Sequence, residues 1–481
     1  MNTTLLILVF IYLLGTLALG AYAGTRVKTT QDFAVAGRSL PLIMVVTTTF
    51  ATWFGAETVM GIPAKFAQGG LSTVIEDPFG AGMCLVLVGA FFAAKLYNMN
   101  LMTIGDFYRE RFGKSVEVFC SIAIILSYLG WVAAQITALG LVFSILSGGA
   151  ISAEWGMVIG TISVLIYVML GGMLAIAWTD FVQMIVLVLG LSYIAYTAGN
   201  LAGGADKVIA LASSNDWFKI LPENTANGWL FFVAAAITMM FGSIPQQDVF
   251  QRVMSAKNAP TAAKGAMIGG FSYILFAFVP MFIVASSLII MPEAAKALLK
   301  EDPQKLLPTL IMQHMPFFAQ VLFFGALLSA IKSTASATLL APSTSFVENI
   351  LKNIYSDMKD KQVLLAMRVT ILVFAMLVLA YAIRMKGTSI YELVSSAYQV
   401  TLVAAFVPLV SGLYWKRATT QGAMVSIVLG IGVWVLLMAS VAEVFPPQLG
   451  GLLAAALGML AGSLLPQWLP NMHTRTQHLT A

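Results

Sequence analysis

The chain has 481 residues, of which 59% are apolar and only 10% are charged. Soluble domains carry about 25% charged residues, so this composition excludes a soluble globular protein and predicts one polytopic membrane domain over residues 1–481. Two cysteines, Cys84 and Cys120, are too few for a disulfide framework or a metal cluster. The net charge of +5 comes from basic residues scattered over separate loops, which excludes a nucleic-acid-binding stripe.

Thirteen apolar segments are long enough to cross a bilayer, which takes about 20 residues. The first has no basic residue before its apolar run and no small-residue cleavage site, so residues 1–28 are predicted to be a retained N-terminal helix. The predicted spans are 3–23, 40–61, 78–97, 118–145, 155–173, 177–198, 229–247, 264–291, 317–341, 363–383, 388–412, 421–442 and 447–467.

The basic residues predict the orientation. With the N-terminus outside, the segments between spans hold seventeen lysines and arginines on the inside and eight on the outside. The positive-inside rule therefore predicts a multi-pass protein of the plasma (inner) membrane with its N-terminus outside and a cytoplasmic tail at 468–481.

Two of the predicted spans are interrupted by helix breakers. FATWFGAETVMGIP, Phe50 to Pro63, contains Gly55 and the acid Glu57, and TMMFGSIPQQ contains Gly242 and Pro245. Transporters built from inverted repeats often break corresponding helices of their two repeats. Five helices separate the two breaks, so the sequence predicts inverted repeats at 40–198 and 229–412, followed by two C-terminal helices at 421–467.

The ninth span has an unusual concentration of hydroxyl groups in SAIKSTASATLLAPST, Ser329 to Thr344. At about 100° per residue, Ala330, Ser333, Thr334 and Ala337 fall on one helical face. Neutral oxygen ligands suit a monovalent cation such as sodium. The alternative is that these small residues only allow close helix packing.

Several segments in the expected order resemble the sodium:solute symporter family over roughly residues 30–420. They are DFAVAGRSLP, MLGGMLAIAWTDFVQ, IPQQDVFQRVMSAKN and AIKSTASATLL. Within that family, ATWFG, GWVAAQITALG and IPQQDVFQRV most resemble the high-affinity choline transporter branch. The resemblance implies an all-α integral membrane fold with about 13 spans. Its core would be a LeuT-like 5+5 inverted repeat, with one extra N-terminal and two extra C-terminal helices.

The resemblance also implies a sodium site. Its ligands would be the backbone carbonyls of Ala51, Phe54 and Ala330 and the hydroxyls of Ser333 and Thr334. A second sodium of some family members would match Asp180 and Ser336, although Ala337 replaces one hydroxyl of that site. The alternative role for Asp180 is that of a helix partner or a fold-stabilising acceptor.

For the solute, tryptophans of the choline branch that match Trp53 and Trp131 form part of an aromatic cage for a quaternary ammonium. Glu57 lies four residues after Trp53 and would attract a cation. This chain has Gln246 in place of a third cage tryptophan and Ser336 in place of an aspartate. Tryptophans that only pack or anchor the helices are the alternative. The full predicted solute set is Trp53, Glu57, Thr58, Trp131, Gln135 and Gln246.

Two charged features remain, Lys332 and the pair Glu76 and Asp77. Lys332 lies about 200° around the ninth helix from Ala330, and a lysine within a span needs a partner. Glu57, Glu76, Asp77 and Asp180 are its candidate acids. Glu76 and Asp77 precede Pro78, a pattern typical of a helix N-terminus, with a cation vestibule as the alternative.

The sequence therefore predicts a sodium-coupled symporter that imports a small organic solute by alternating access. The solute is a cationic amine such as choline or, alternatively, an amino acid or another zwitterion or carboxylate. A transporter-like sensor is the other alternative. Three histidines without metal spacing or a nucleophile elbow argue against an enzyme. The expected partners are the solute, Na⁺ as coupling ion and the lipid bilayer, with no cofactor and no nucleic acid.

Overall fold

The computed structural model of the chain describes residues 3–440, 442 and 444–470. Within these residues the regular structure is helical apart from one isolated parallel bridge between Leu40 and Ala256. The Leu40 amide donates to the Ser255 carbonyl at 2.9 Å, and the Lys257 amide donates to the Leu40 carbonyl at 3.0 Å. Most of the predicted tail at 468–481 lies outside the described residues.

The helices are numbered in chain order. They are α1 (Thr3–Gly24), α2 (Thr30–Val35), α3 (Leu42–Trp53), α4 (Ile62–Gly69), α5 (Ala81–Leu87), α6 (Ala93–Asn98), α7 (Ile104–Phe112), α8 (Lys114–Leu146), α9 (Ala153–Leu201), α10 (Ala205–Ser214), α11 (Ala226–Gly242), α12 (Gln247–Ser255), α13 (Ala259–Ile290), α14 (Pro292–Glu301), α15 (Leu306–His314), α16 (Phe317–Phe346), α17 (Lys352–Ile354), α18 (Asp360–Arg384), α19 (Ile390–Thr401), α20 (Val407–Tyr414), α21 (Thr420–Ser440) and α22 (Pro447–Leu464). Short π-helical segments at Glu57–Gly61, Ile75–Gly80, Val88–Phe92, Val347–Leu351 and Leu402–Phe406 join some of them.

The number of spans is close to the prediction. Among the described residues, 10 helices are long and apolar enough to cross a membrane, and 12 spans result when each of two bent pairs is taken as one. The remaining predicted span, 155–173, corresponds to the shorter apolar helix Ala153–Ile166. The all-α membrane fold is confirmed, with 10–12 spans by this criterion rather than 13.

Both predicted interruptions are present. Leu42–Trp53 and Glu57–Gly69 meet at an angle of 56°, and Ala226–Gly242 and Gln247–Ser255 meet at 46°. Each break follows from the glycine and proline content of its segment, because these residues interrupt the helical hydrogen-bond ladder. The repeat boundaries at 40–198 and 229–412 stay a prediction.

The helix α16 lies at the centre of the molecule. Every residue from Phe323 to Ser345 is buried, on all faces of the helix. It packs against α1, α8, α9 and α18. A helix buried all round can carry polar side chains only if they meet polar partners within the protein.

The fifth and sixth predicted spans lie on the two sides of a sharp backbone break at Gly172, within the range given as α9. This residue has φ 48° and ψ −143°, a combination that is essentially restricted to glycine. A Cβ added there would lie 2.4 Å from the carbonyl oxygen of Phe33 in α2. The glycine therefore allows both the bend and the close approach of α2.

We expect Gly172→Ala to lower the thermal stability of the purified protein. The backbone strain alone costs about 1–3 kcal/mol, and the contact with Phe33 adds to it. The measurement is the melting temperature in detergent. Gly432→Ala is the control, because a Cβ there meets nothing within 4 Å. Equal melting temperatures for the two variants would contradict the assigned role of Gly172.

Candidate functional site

The first helix break exposes backbone oxygens inside the protein. α3 ends at Trp53, and Phe54 takes φ −88° and ψ 65°, outside the helical region. The carbonyl of Thr52 accepts a hydrogen bond from Thr334 Oγ1 of α16 at 2.7 Å. None of the backbone hydrogen bonds described across the break ends on the carbonyl of Ala51 or Phe54. The break thus leaves oxygens available beside α16.

The hydroxyl-rich face of α16 points at this break and at α9. Ser333 Oγ donates to Asp180 Oδ1 at 2.6 Å, while Thr334 reaches Thr52. Thr48 of α3 donates to the other oxygen of Asp180, also at 2.6 Å. All of these side chains are buried. α3, α9 and α16 therefore meet at one cluster of neutral oxygens and a single carboxylate.

The residues of the possible second sodium site are not brought together by direct hydrogen bonds. Ser336 Oγ donates to the carbonyl of Ser333 at 2.8 Å, within its own helix. The described hydrogen bonds of the Asp180 carboxylate go to Thr48 and Ser333. Asp180 therefore joins the first predicted cluster, and Thr48 is a partner that the sequence analysis missed.

Glu57 is held in a fixed position by α8. Its carboxylate is 2% exposed, accepting from Trp131 Nε1 at 2.9 Å and from Gln135 Nε2 at 2.6 Å. The Gln135 side-chain oxygen accepts from the Ala56 amide at 2.9 Å, which fixes the orientation of the Gln135 amide group. Three predicted solute residues therefore form one hydrogen-bonded unit.

Trp131 of this unit belongs to a cluster with three further aromatic rings, those of Trp53, Tyr273 and Tyr398. The centroids of Trp53 and Trp131 are 5.7 Å apart with their planes at 67°, and Tyr398 lies 6.1 Å from Trp53 and 5.4 Å from Trp131. Tyr273 lies 6.4 Å from Trp53. Trp53 Nε1 is buried with no hydrogen-bond partner among the described residues. The predicted tryptophan pair is present, and two tyrosines that the sequence analysis did not name complete the wall.

The last two predicted solute residues lie at the edges of the aromatic cluster. Thr58 Oγ1 donates to the Trp53 carbonyl at 3.1 Å and lies 2.9 Å from the Tyr273 hydroxyl. Gln246 Nε2 donates to Ser127 Oγ at 2.9 Å. Ser127 precedes Trp131 by one turn of α8. Gln246 thus contacts α8 one turn from Trp131, while its Oε1 is buried with no hydrogen-bond partner in the described structure.

The structure shows a hydroxyl partner for Lys332 on α1. Lys332 Nζ donates to Thr16 Oγ1 of α1 at 3.2 Å. Within the described residues, no ion pair within 4.0 Å joins it to any of the four candidate acids, Glu57, Glu76, Asp77 and Asp180. The predicted direction of the Lys332 side chain, away from Ala330 and the hydroxyl-rich face, is confirmed, because Lys332 faces α1.

A buried arginine near the site was also missed. Arg252 of α12 donates to Thr52 Oγ1 from Nη2 at 2.6 Å and from Nε at 3.1 Å. Its Nη1 donates to the Asp248 carbonyl at 2.8 Å. The second broken helix is thereby bonded to the last turn of α3. Arg252 is visible in the sequence as the last residue of QQDVFQR, but only the fold shows that its guanidinium group points into the protein.

Comparisons with known proteins agree with this architecture. The "High-affinity choline transporter 1" of Caenorhabditis elegans is 26% identical over 448 residues, covering 88% of this chain and 76% of the relative. The "High-affinity proline transporter PutP" of Bacillus subtilis (strain 168) is 27% identical over 472 residues, covering 94% and 96% of the two chains.

A solved structure of a Na⁺-coupled sialic acid symporter, in a substrate-bound outward-open state, matches with a TM-score of 0.81. The two chains are 20% identical, and the match covers 96% of this chain and 98% of the other. That likeness confirms the predicted LeuT-like fold. Residues 33–430, most of the sequence, match the family described as "Sodium:solute symporter family". This family consists of transporters and not of enzymes. The chain belongs to the sodium:solute symporter family.

Proposed function

We propose that this symporter uses the inward sodium gradient to import a small organic cation, such as choline or a related ammonium compound. One observation carries the proposal. The Glu57 carboxylate is buried against the aromatic cluster, and no Lys, Arg or His nitrogen of the described residues lies within 4.0 Å of it. A buried charge needs a counter-charge, and the solute would supply it.

The aromatic rings would add a second attraction. A cation over a tryptophan or tyrosine face gains about 0.5–2 kcal/mol per ring, more as water is excluded. Trp53, Trp131 and Tyr398 are each at most 1% exposed, so water is largely excluded from their faces. The similarity to choline transporters supports the same solute class.

A zwitterionic solute such as an amino acid is the second candidate. The buried Trp53 Nε1 has no described partner and could donate to a carboxylate. The relative from Bacillus subtilis, which is named a proline transporter, favours this alternative. A transporter-like sensor, the remaining alternative, would bind its ligand without accumulating it.

For sodium, we propose the site formed by the carbonyls of Ala51, Phe54 and Ala330 with the hydroxyls of Ser333 and Thr334. A hydroxyl that donates its hydrogen to the protein still has lone pairs for a cation. Both hydroxyls donate in this way, to Asp180 and to Thr52. Ser336 with Asp180 as a second site has less support, because their described bonds do not converge.

The proposed orientation has the N-terminus outside and the C-terminus in the cytoplasm. Its support is the excess of basic residues in the segments that this orientation puts inside, seventeen against eight.

The two proposed sites would be coupled across Gly55. A Cβ on this residue would lie 2.6 Å from both Thr334 Oγ1 and Glu57 Oε2, and 2.9 Å from Gln135 Oε1. A hydroxyl of the sodium site and the solute-binding carboxylate therefore touch the same backbone position. Sodium that fixes α16 against α3 would fix the position of Glu57 as well.

The central test is uptake by the purified protein in proteoliposomes. An inward sodium gradient should drive accumulation of labelled choline, with labelled proline measured in parallel. Ser333→Ala and Thr334→Ala should each raise the half-saturating sodium concentration about tenfold, because each removes one oxygen ligand. Ser343→Ala is the matched control, because its hydroxyl bonds to Leu339 of its own helix. An unchanged sodium dependence in both site variants would refute the sodium site.

The role of Glu57 is tested by charge removal. Glu57→Gln keeps the shape of the side chain but removes the negative charge, so the half-saturating concentration of a cationic solute should rise about tenfold or more. Glu392→Gln is the control, because this acid lies on the surface beside Lys65. If choline affinity is equal in the two variants, Glu57 does not bind the cation.

Gly55→Ala should abolish uptake while the protein is still produced. The added methyl group would displace Glu57 and Thr334 together, since both lie too close for a Cβ contact. Gly325→Ala, in the buried part of α16, is the matched control because a Cβ there meets nothing within 4 Å. Retained uptake in Gly55→Ala at normal abundance would contradict the coupling across this residue.

A further inference from the structure

Two further carboxylates lie next to the proposed solute site and are not used by it. Glu76 is 8% exposed and Asp77 is 1% exposed. Asp77 Oδ1 accepts from the Tyr273 hydroxyl at 2.5 Å, and Glu76 Oε2 accepts from Ser395 Oγ at 2.7 Å. The second oxygen of each, Asp77 Oδ2 and Glu76 Oε1, is buried with no hydrogen-bond partner in the described structure.

Helix capping does not explain these acids. The sequence pattern Glu76, Asp77, Pro78 is typical of a helix N-terminus, where a carboxylate accepts from the first free amides. In the structure, the side-chain hydrogen bonds of both acids come from hydroxyl groups of α13 and α19, and none comes from the amides that follow Pro78. Two buried acceptors in this state are costly unless a ligand satisfies them.

Glu76 and Asp77 are both connected to the aromatic cluster, Asp77 through hydrogen bonds and Glu76 through helix α19. The Tyr273 hydroxyl that donates to Asp77 also lies 2.9 Å from Thr58 Oγ1, next in sequence to Glu57. Ser395 and Tyr398 are three residues apart on α19, so the Glu76 contact lies about 5 Å, roughly one turn, along the helix from the ring that stacks on Trp53.

The charges around the pair favour a cation. Lys65 lies 5.8 Å from the Tyr391 ring and pairs with Glu392 at 3.3 Å. In the described part of the chain, no basic nitrogen lies within 4.0 Å of Glu76 or Asp77.

We infer that Glu76 and Asp77 bind a second positive group of the solute, so that the substrate class is the aliphatic diamine dication. This inference rests on the proposed import of an organic cation. One ammonium lies among the rings beside Glu57, whose two oxygens each accept one hydrogen bond from the protein. The other lies between Asp77 Oδ2 and Glu76 Oε1 and needs N–H donors. A primary ammonium has three such donors and a quaternary ammonium has none.

The test compares two probes with the same carbon chain, 1,4-diaminobutane and 1-aminobutane, as labelled solutes in sodium-driven uptake by proteoliposomes. The diamine should have a half-saturating concentration about tenfold or more below that of the monoamine, the effect of added hydrogen bonds to a charged group. In Asp77→Asn and Glu76→Gln this ratio should fall toward one. Glu392→Gln should leave the ratio as in the wild-type protein.

The outcomes separate this inference from the proposed function. If the monoamine accumulates and the diamine binds no better, the inference is wrong and the proposed function stands. If neither amine nor choline accumulates under a sodium gradient, both are wrong. A preference for the diamine that survives in both acid variants, with normal abundance of each variant, assigns the second ammonium elsewhere and overturns the role of the pair. A wild-type protein that does not prefer the diamine overturns the inference even if a variant fails to fold.

Discussion

The break between α3 and the π-helical turn at Glu57 is the constraint on which the rest of the site depends. Inside a membrane protein, backbone groups freed from a helix must find partners within the protein. The Thr334 hydroxyl provides one at the Thr52 carbonyl, and Arg252 bonds to the Thr52 side chain. One residue at the end of α3 is therefore bonded to α16 and to the second broken helix, which brings both interrupted segments to the same place.

Electrostatics divides the buried acids into two kinds. Asp180 accepts at both oxygens from hydroxyls of α3 and α16, so its charge stabilises the contact between helices. Both oxygens of Glu57 also accept hydrogen bonds, from Trp131 and Gln135, but here one donor belongs to the aromatic cluster. The first arrangement joins helices, and the second places a carboxylate beside packed aromatic rings. That difference is why the solute proposal falls on Glu57 and not on Asp180.

The sequence was most informative where local chemistry decides the structure. Span positions follow from apolar length, and both breaks follow from glycine and proline, so these predictions were confirmed. The fifth and sixth predicted spans are likewise separate in the structure, because the backbone at Gly172 leaves the helical conformation. Contacts between distant segments, such as Tyr273 with Asp77 and Thr48 with Asp180, have no local pattern. Such contacts depend on which helices become neighbours, and no residue spacing encodes that.

Lys332 shows why a costly buried charge need not mark the binding site. Its ammonium donates to Thr16, and one turn earlier Ser329 is hydrogen-bonded to Tyr12, so two contacts fasten α16 to α1 on the side away from α3. Thr334, about 160° around α16 from Lys332, is directed at the break, and Ser333 is bonded to Asp180 of α9. α16 is thus anchored on one face and presents oxygen ligands on the other. An ion that binds between α3 and α16 would act mainly on α3, because the anchored helix resists displacement.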